Sequence, residues 1–182
     1  MIHELEKPEL FPKRRKYLHW YIAGFVDAEG CFSVSIKKQN NTRFGYVIDP
    51  VFHVVQSKKG LEVLKAMKVV FNAGRVERKH GQDEYQFIVD NRRQIAEKII
   101  PFFKKYKLIV KSNEFEVFAE IVERLEKKEH WNLEGFKRLL KLAYLATKQK
   151  RKRSFEEVIA SLKGWESSET IRQGSSKKGE KL

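Results

Sequence analysis

Apolar residues recur along this chain with two different periods, and the switches between them mark its elements. Leu18, Ile22, Phe25 and Val26 are spaced for one buried face of a helix that starts after Pro12-Lys13-Arg14-Arg15 and ends at Gly30. The period then drops to two. Phe32, Val34 and Ile36 alternate with Ser33, Ser35 and Lys37, which predicts a strand with one face buried, and Gln39-Asn40-Asn41 supplies the turn after it. A second strand runs to about Gln56, with Phe52 and Val54 set against Val51, His53 and Val55, a less cleanly polar face. Helical spacing returns at Leu61, Leu64, Met67 and Phe71 and closes at Asn72-Ala73-Gly74. Arg75 to Lys79 then opens a hairpin that turns at His80-Gly81-Gln82-Asp83, with Tyr85, Phe87 and Val89 inward on the return and Glu84 and Gln86 outward.

Asp90 or Asn91 caps a third helix holding Ile95, Ile99 and Phe102, which Pro101 should bend or interrupt. Two more helices show core faces at Phe115, Phe118, Ala119, Val122 and at Phe136, Leu139, Leu140, Ala143. Ser154 and Glu157 form a capping box for a last short helix, and beyond Trp165 periodicity gives way to Ser, Gly, Lys and Glu. The expected fold class is therefore α+β, in the order αββαββα with extra C-terminal helices. Its antiparallel sheet keeps one face clear of helices. A single domain is expected over residues 1–165, followed by a disordered basic tail over 166–182.

Composition narrows the partner. A chain of 182 residues with 41% hydrophobic content suits one core, and its net charge of +14 supplies general attraction to phosphate, so nucleic acid is the expected partner. A membrane is not expected: no basic helix presents a bare apolar face, and the apolar stretch Tyr17 to Val26 is stopped by Asp27 well short of a span. Met1 to Pro12 carries acids and prolines in place of a secretory signal. The lone Cys31 can form neither an internal disulfide nor a thiolate zinc site, so an intracellular setting is expected.

The chemistry is concentrated in Ile22-Ala23-Gly24-Phe25-Val26-Asp27-Ala28-Glu29-Gly30, where two acids and two glycines end a helix directly before an alternating strand. This stretch resembles the defining motif of the LAGLIDADG homing endonucleases, with Glu29 in place of the second Asp; the resemblance extends from about Tyr17 to about Leu162. Physically, Gly24 and Ala28 stand four apart on one helical face, where another helix can approach closely. Glu29 sits at the carboxyl end of its helix, where the dipole disfavours an anion and a hard cation such as Mg²⁺ compensates. Asp27 reads as a structural acid.

The resemblance implies a metal-dependent, site-specific double-strand DNA endonuclease, free-standing and intron-encoded, without a small-molecule cofactor. Glu29 and the backbone carbonyl of Ala28 would face the metal. With a single motif, cutting both strands implies a homodimer joined through Gly24 and Ala28 on a nearly palindromic site. The curved sheet would lie in the major groove and read bases through Ser33, Ser35, Lys37 and Gln39, then Arg43, Asp49 and His53, then Arg75, Glu77, Lys79, Glu84 and Gln86. Gln56 matches the family's catalytic polar position. For its catalytic lysine, Lys111 is the first choice and Lys107 the second, because the loop after Pro101-Phe102-Phe103 is longer than in the shortest members. Lys148, Lys150, Arg151, Lys152 and Arg153, beside Ser154, match the carboxyl-terminal phosphate contacts. Two other readings stay open at this point: an RNA-binding intron maturase on the same fold, and a DNA-binding protein without cleavage.

Overall fold

The computed structural model describes residues 15–79, 81, 83–146 and 152–162. Helix α1 (Arg15–Glu29) runs straight into strand β1 (Gly30–Lys38), and β2 (Tyr46–Ser57) returns beside it. Helix α2 (Leu61–Phe71) leads to the hairpin of β3 (Arg75–Arg78) and β4 (Glu84–Val89). The four strands pair antiparallel in the order β1-β2-β4-β3, which is the expected α+β architecture.

Period two fixes which residues face the helices. Val34, Ile48, Phe52, Val54, Phe87 and Val89 are buried, together with Ile22 and Val26 of α1 and Leu64, Met67 and Phe71 of α2. Aromatic rings fill the space between sheet and helices. Phe52 meets Phe32, Phe87 and Phe103 with centroids 5.1, 6.1 and 5.7 Å apart, and Phe71 stacks on Phe87 at 5.7 Å.

The turn from α1 to β1 has no loop at all. A β-carbon on Gly30 would lie 2.5 Å from Val26 Cγ1 and 2.7 Å from the Val26 carbonyl oxygen, so the chain can reverse from helix to strand here only with glycine. That immediate reversal leaves Glu29 at the edge of the sheet.

After β4, Asn91 rather than Asp90 caps the next helix: its Oδ1 accepts from the Gln94 amide at 3.0 Å. Pro101 does not interrupt that helix. Between α3 (Arg92–Gln94) and α4 (Ile100–Lys105), residues Ile95–Ile99 form a π-turn in which the Ile100 amide donates to the Ile95 carbonyl, and the widened turn absorbs the proline at the start of α4. Helices α5 (Ser112–Glu126) and α6 (Leu133–Leu145) complete the layer behind the sheet. A last helix, α7, covers 155–162, and Ser154 and Glu157 form its capping box through bonds of 2.9 and 3.1 Å.

One boundary differs from expectation. The second strand begins at Tyr46, so Arg43 lies in the β1–β2 loop and not on a strand; its guanidinium stands over the Phe44 ring at 5.7 Å. The expected tail over 166–182 and the basic residues Lys148, Lys150 and Arg151 lie outside the described residues. Among the described residues no helix is long and apolar enough to cross a membrane.

Gly30→Ala is predicted to lower stability by about 1–3 kcal/mol, the usual cost of overpacking a site that cannot open freely. Urea unfolding measures it, and a variant with an unchanged midpoint would show that the turn has slack the contacts do not suggest.

Candidate active site and nucleic-acid interface

The acid at the end of α1 is surrounded by groups that its neighbour Asp27 arranges. Asp27 Oδ2 accepts from the backbone amides of Ile109 and Val110, both at 3.0 Å, and its Oδ1 accepts from the Lys111 amide at 2.9 Å. The favour is returned: Lys111 Nζ donates to the carbonyls of Asp27 at 2.9 Å and Ala28 at 2.7 Å. Desolvation works against the Asp27 charge, but the three backbone donors and the Lys111 cation outweigh it and hold the carboxyl below the usual carboxylate range. Asp27 is thus a structural acid, clamping the loop before α5 to the end of α1.

Glu29, one step beyond, is exposed and has no hydrogen-bond partner among the described residues. Gln56 reaches the same end of the sheet. In the β1–β2 register Gly30 stands opposite Val54, which puts Gln56 two residues past that pair, with its side chain folded against Gly60. Of the two candidate lysines, only Lys111 is brought to this end of α1. Lys107 is exposed on a groove between α4 and α5, among Phe103, Phe115, Glu116 and Glu120.

No group of three or more His, Cys, Asp or Glu among the described residues forms a ready metal cage. The oxygens at the end of α1 nevertheless suit a hard cation. Two of its carbonyls accept the Lys111 ammonium, and the exposed Glu29 that follows them carries a carboxylate with no hydrogen-bond partner among the described residues.

The opposite face of the sheet carries the expected readers. Ser33, Ser35 and Lys37 of β1 share it with Val47, Asp49, Val51 and His53 of β2, with Gln86 and Ile88 of β4, and with Arg75 and Glu77 of β3. It is more apolar than the sequence pattern suggests, since Val51, Val55 and Ile88 lie half-buried along it. Its polar groups engage each other: Ser33 and Ser35 donate to the Val51 and Asp49 carbonyls at 3.2 and 3.4 Å, Lys37 pairs with Asp49, and Lys79 with Glu84 at 2.9 Å. Burial, then Lys79, pushes the His53 imidazole toward its neutral form. Gln39 lies just beyond β1, where its amide donates to Gly45 O at 2.8 Å.

At the carboxyl end, Lys152 is exposed. Arg153 is exposed as well, and one of its donors is used within the chain: its Nη1 donates to the Tyr46 hydroxyl at 2.9 Å, and the Tyr144 hydroxyl donates to the Arg153 carbonyl at 2.9 Å. This strap ties α7 to the start of β2. Tyr46 was not marked out by the sequence, and Asp90, which binds Arg75, was marked only as a possible helix cap.

The family model described as LAGLIDADG endonuclease matches residues 22–122, from the motif helix through most of α5. The chain belongs to the LAGLIDADG endonuclease family. Among LAGLIDADG relatives, homing endonuclease I-ApeII of Aeropyrum pernix is 38% identical over 149 residues, covering 78% of this chain and 88% of that protein. DNA endonuclease I-CeuI of Chlamydomonas moewusii is 37% identical over 95 residues, covering 52% of this chain and 44% of that one. The archaeal intron-encoded homing endonuclease I-Vdi141I, solved in complex with DNA, superposes with a TM-score of 0.79 at 39% identity, over 84% of this chain and 99% of its own. I-LtrWI, bound to its target DNA, gives a TM-score of 0.71 at 33% identity over 75% of this chain, which spans only 47% of that longer LAGLIDADG chain. The LAGLIDADG endonuclease I-SmaMI has been solved on uncleaved DNA in the presence of calcium ions.

Asp27→Asn is predicted to lower stability by about 1–3 kcal/mol at pH 7, because amides now satisfied by the carboxylate lose a partner. Since the folded pKa lies below the unfolded value of about 3.9, the native advantage is complete above that value and fades as pH falls through the folded pKa. Denaturation of both proteins across this range measures it. A gap that persisted unchanged in acid would remove the charge from the explanation.

Proposed function

We propose that this protein is a homing endonuclease that cuts both strands of a long, nearly palindromic DNA site as a homodimer, using Mg²⁺ held at Glu29 and the Ala28 carbonyl. The observation that carries the reading is the end of α1: an unpaired carboxylate beside carbonyls that already hold a cation, at the edge of a sheet whose helix-free face is lined with polar side chains. The net charge of +14 supports DNA as the partner. So does the similarity to I-Vdi141I, solved on DNA, and to I-LtrWI. Relatives that are intron-encoded support the same origin here.

When bound, the ion lowers the pKa of water and stabilises charge on the phosphodiester. The chain's own groups do the rest. Glu29 would hold the ion; Gln56 would orient the attacking water, whose oxygen would join phosphorus as one P–O ester bond breaks, the water losing a proton to solvent and the departing oxygen taking one up; Lys111 would move off the Ala28 carbonyl, which it now occupies, to offset negative charge on the phosphate. Lys107, on its separate groove, has no part in this arrangement.

A homodimer is supported by the single motif and by the outer face of α1. Tyr17, Tyr21, Gly24 and Ala28 are all exposed on it, and a β-carbon at Gly24 would meet nothing within 4 Å. The chain also spans about half of the I-LtrWI chain, room enough there for two such units.

Glu29→Gln should bind the selected duplex as the native protein does and fail to cut it in Mg²⁺, and Ca²⁺ should support binding without cleavage by the native protein. Cutting by the variant at native rate removes Glu29 from catalysis; selection of structured RNA over every duplex favours a maturase instead.

Gly24→Leu should shift the protein toward monomer in sedimentation velocity and abolish double-strand cutting. A stable, active dimer would place the interface elsewhere.

A further inference from the structure

On the helix-free face of the β3–β4 hairpin, four side chains form one connected group. Arg75 Nε donates to Glu77 Oε2 at 2.8 Å, Arg75 Nη1 donates to Asp90 Oδ2 at 2.8 Å, and Gln86 Nε2 donates to Glu77 Oε1 at 2.6 Å. The register explains the grouping. Glu77 stands opposite Gln86 on the neighbouring strand, and Arg75 opposite Ile88, one position along the same face. Each oxygen of Glu77 therefore has its own donor, one on its own strand and one across it.

The charges of this group decide what it can face. One guanidinium against two carboxylates makes it net negative, on a chain whose total is +14. A phosphate is repelled there, so the donors left over are useful only toward base edges. A guanidinium has five N–H donors, and two are spent on Glu77 and Asp90. Both on Nη2 and one on Nη1 remain, enough for the two acceptors, O6 and N7, that guanine shows in the major groove. Glu77 accepts only, so it takes the amide nitrogen of Gln86 and leaves Oε1 with the second N–H, the pair that matches N6 and N7 of adenine. An isolated exposed ion pair holds a side chain loosely, but two carboxylates on one guanidinium share the entropy cost of fixing it.

We infer that Arg75 reads a guanine and Gln86 an adenine in each half-site, and that Glu77 and Asp90 are positioning residues that aim these two side chains without touching a base. This rests on the reading of the protein as a DNA endonuclease.

The test is selection of bound duplexes from a randomised library in Ca²⁺, with base frequencies read by sequencing. Arg75→Ala and Gln86→Ala first identify the two base pairs by loss of preference. Glu77→Gln should then relax the guanine and adenine preferences together, by about tenfold each, while affinity for random-sequence duplex stays level or rises. Asp90→Asn should relax only the guanine position. That split is not what general damage to the hairpin would give, and thermal melting of each variant checks that it is folded. If Glu77→Gln leaves both preferences intact, or loses a cytosine preference at a third position, Glu77 is not a positioning residue and the inference fails. If the native protein selects no duplex at all, the DNA reading itself falls with it.

Discussion

The geometry at the end of α1 depends on one reciprocal contact, the clamp between Asp27 and Lys111. A helix ends with carbonyls that lack partners, and the next helix begins with amides in the same position. Here the end of α1 and the approach to α5 satisfy each other: the Asp27 carboxylate takes the amides of residues 109–111, and the Lys111 ammonium takes the carbonyls of Asp27 and Ala28. Because charged partners make these bonds stronger than neutral ones, the clamp fixes where α1 stops. Gly30 then lets β1 start at once, which places the Glu29 backbone at the junction of helix and sheet.

The same economy of charge runs across the free face of the sheet. Lys37 pairs with Asp49 and Lys79 with Glu84, so much of this face is locally neutral or, at Arg75, Glu77 and Asp90, negative. A chain with an excess of 14 positive charges must therefore carry most of its phosphate attraction elsewhere. Exposed pairs of this kind contribute little to stability, which makes their hydrogen bonds cheap to exchange for those of a base edge. Under the proposed reading, general attraction and base discrimination would fall on different surfaces.

What the sequence disclosed follows from how local each signal is. The strands were legible because burial on one face imposes period two on Phe32-Val34-Ile36 and on Tyr85-Phe87-Val89, and the motif was legible because Gly30 and the acids are constrained within a few residues of each other. The choice between Lys111 and Lys107 was not legible, since it depends on which way a loop folds back on a helix more than eighty residues earlier in the chain. The effect of Pro101 was legible only in part: a proline disturbs a helix, but nothing local announces that it will do so through a widened turn at Ile95–Ile99 that lets the helix continue. The bond of Arg153 to Tyr46 was not legible either, since it is made across more than a hundred residues. The cap of α3 was legible only as Asp90 or Asn91, and Asn91 takes the place while Asp90 turns to Arg75.

The two glycines of the motif make a last contrast. Gly30 is explained inside the chain, because any β-carbon there strikes Val26. Gly24 is not: nothing lies within 4 Å of the position its β-carbon would take, and helix interiors with glycine are less stable than with alanine by about 1 kcal/mol. Among the described residues, then, no contact requires glycine at this point. Gly24 lies on the same exposed face of the helix as Ala28, whose carbonyl accepts the Lys111 ammonium. Under the proposed dimer, a partner helix seated on Gly24 would come within about one and a half turns of Glu29, so that assembly and completion of the proposed metal site would be coupled.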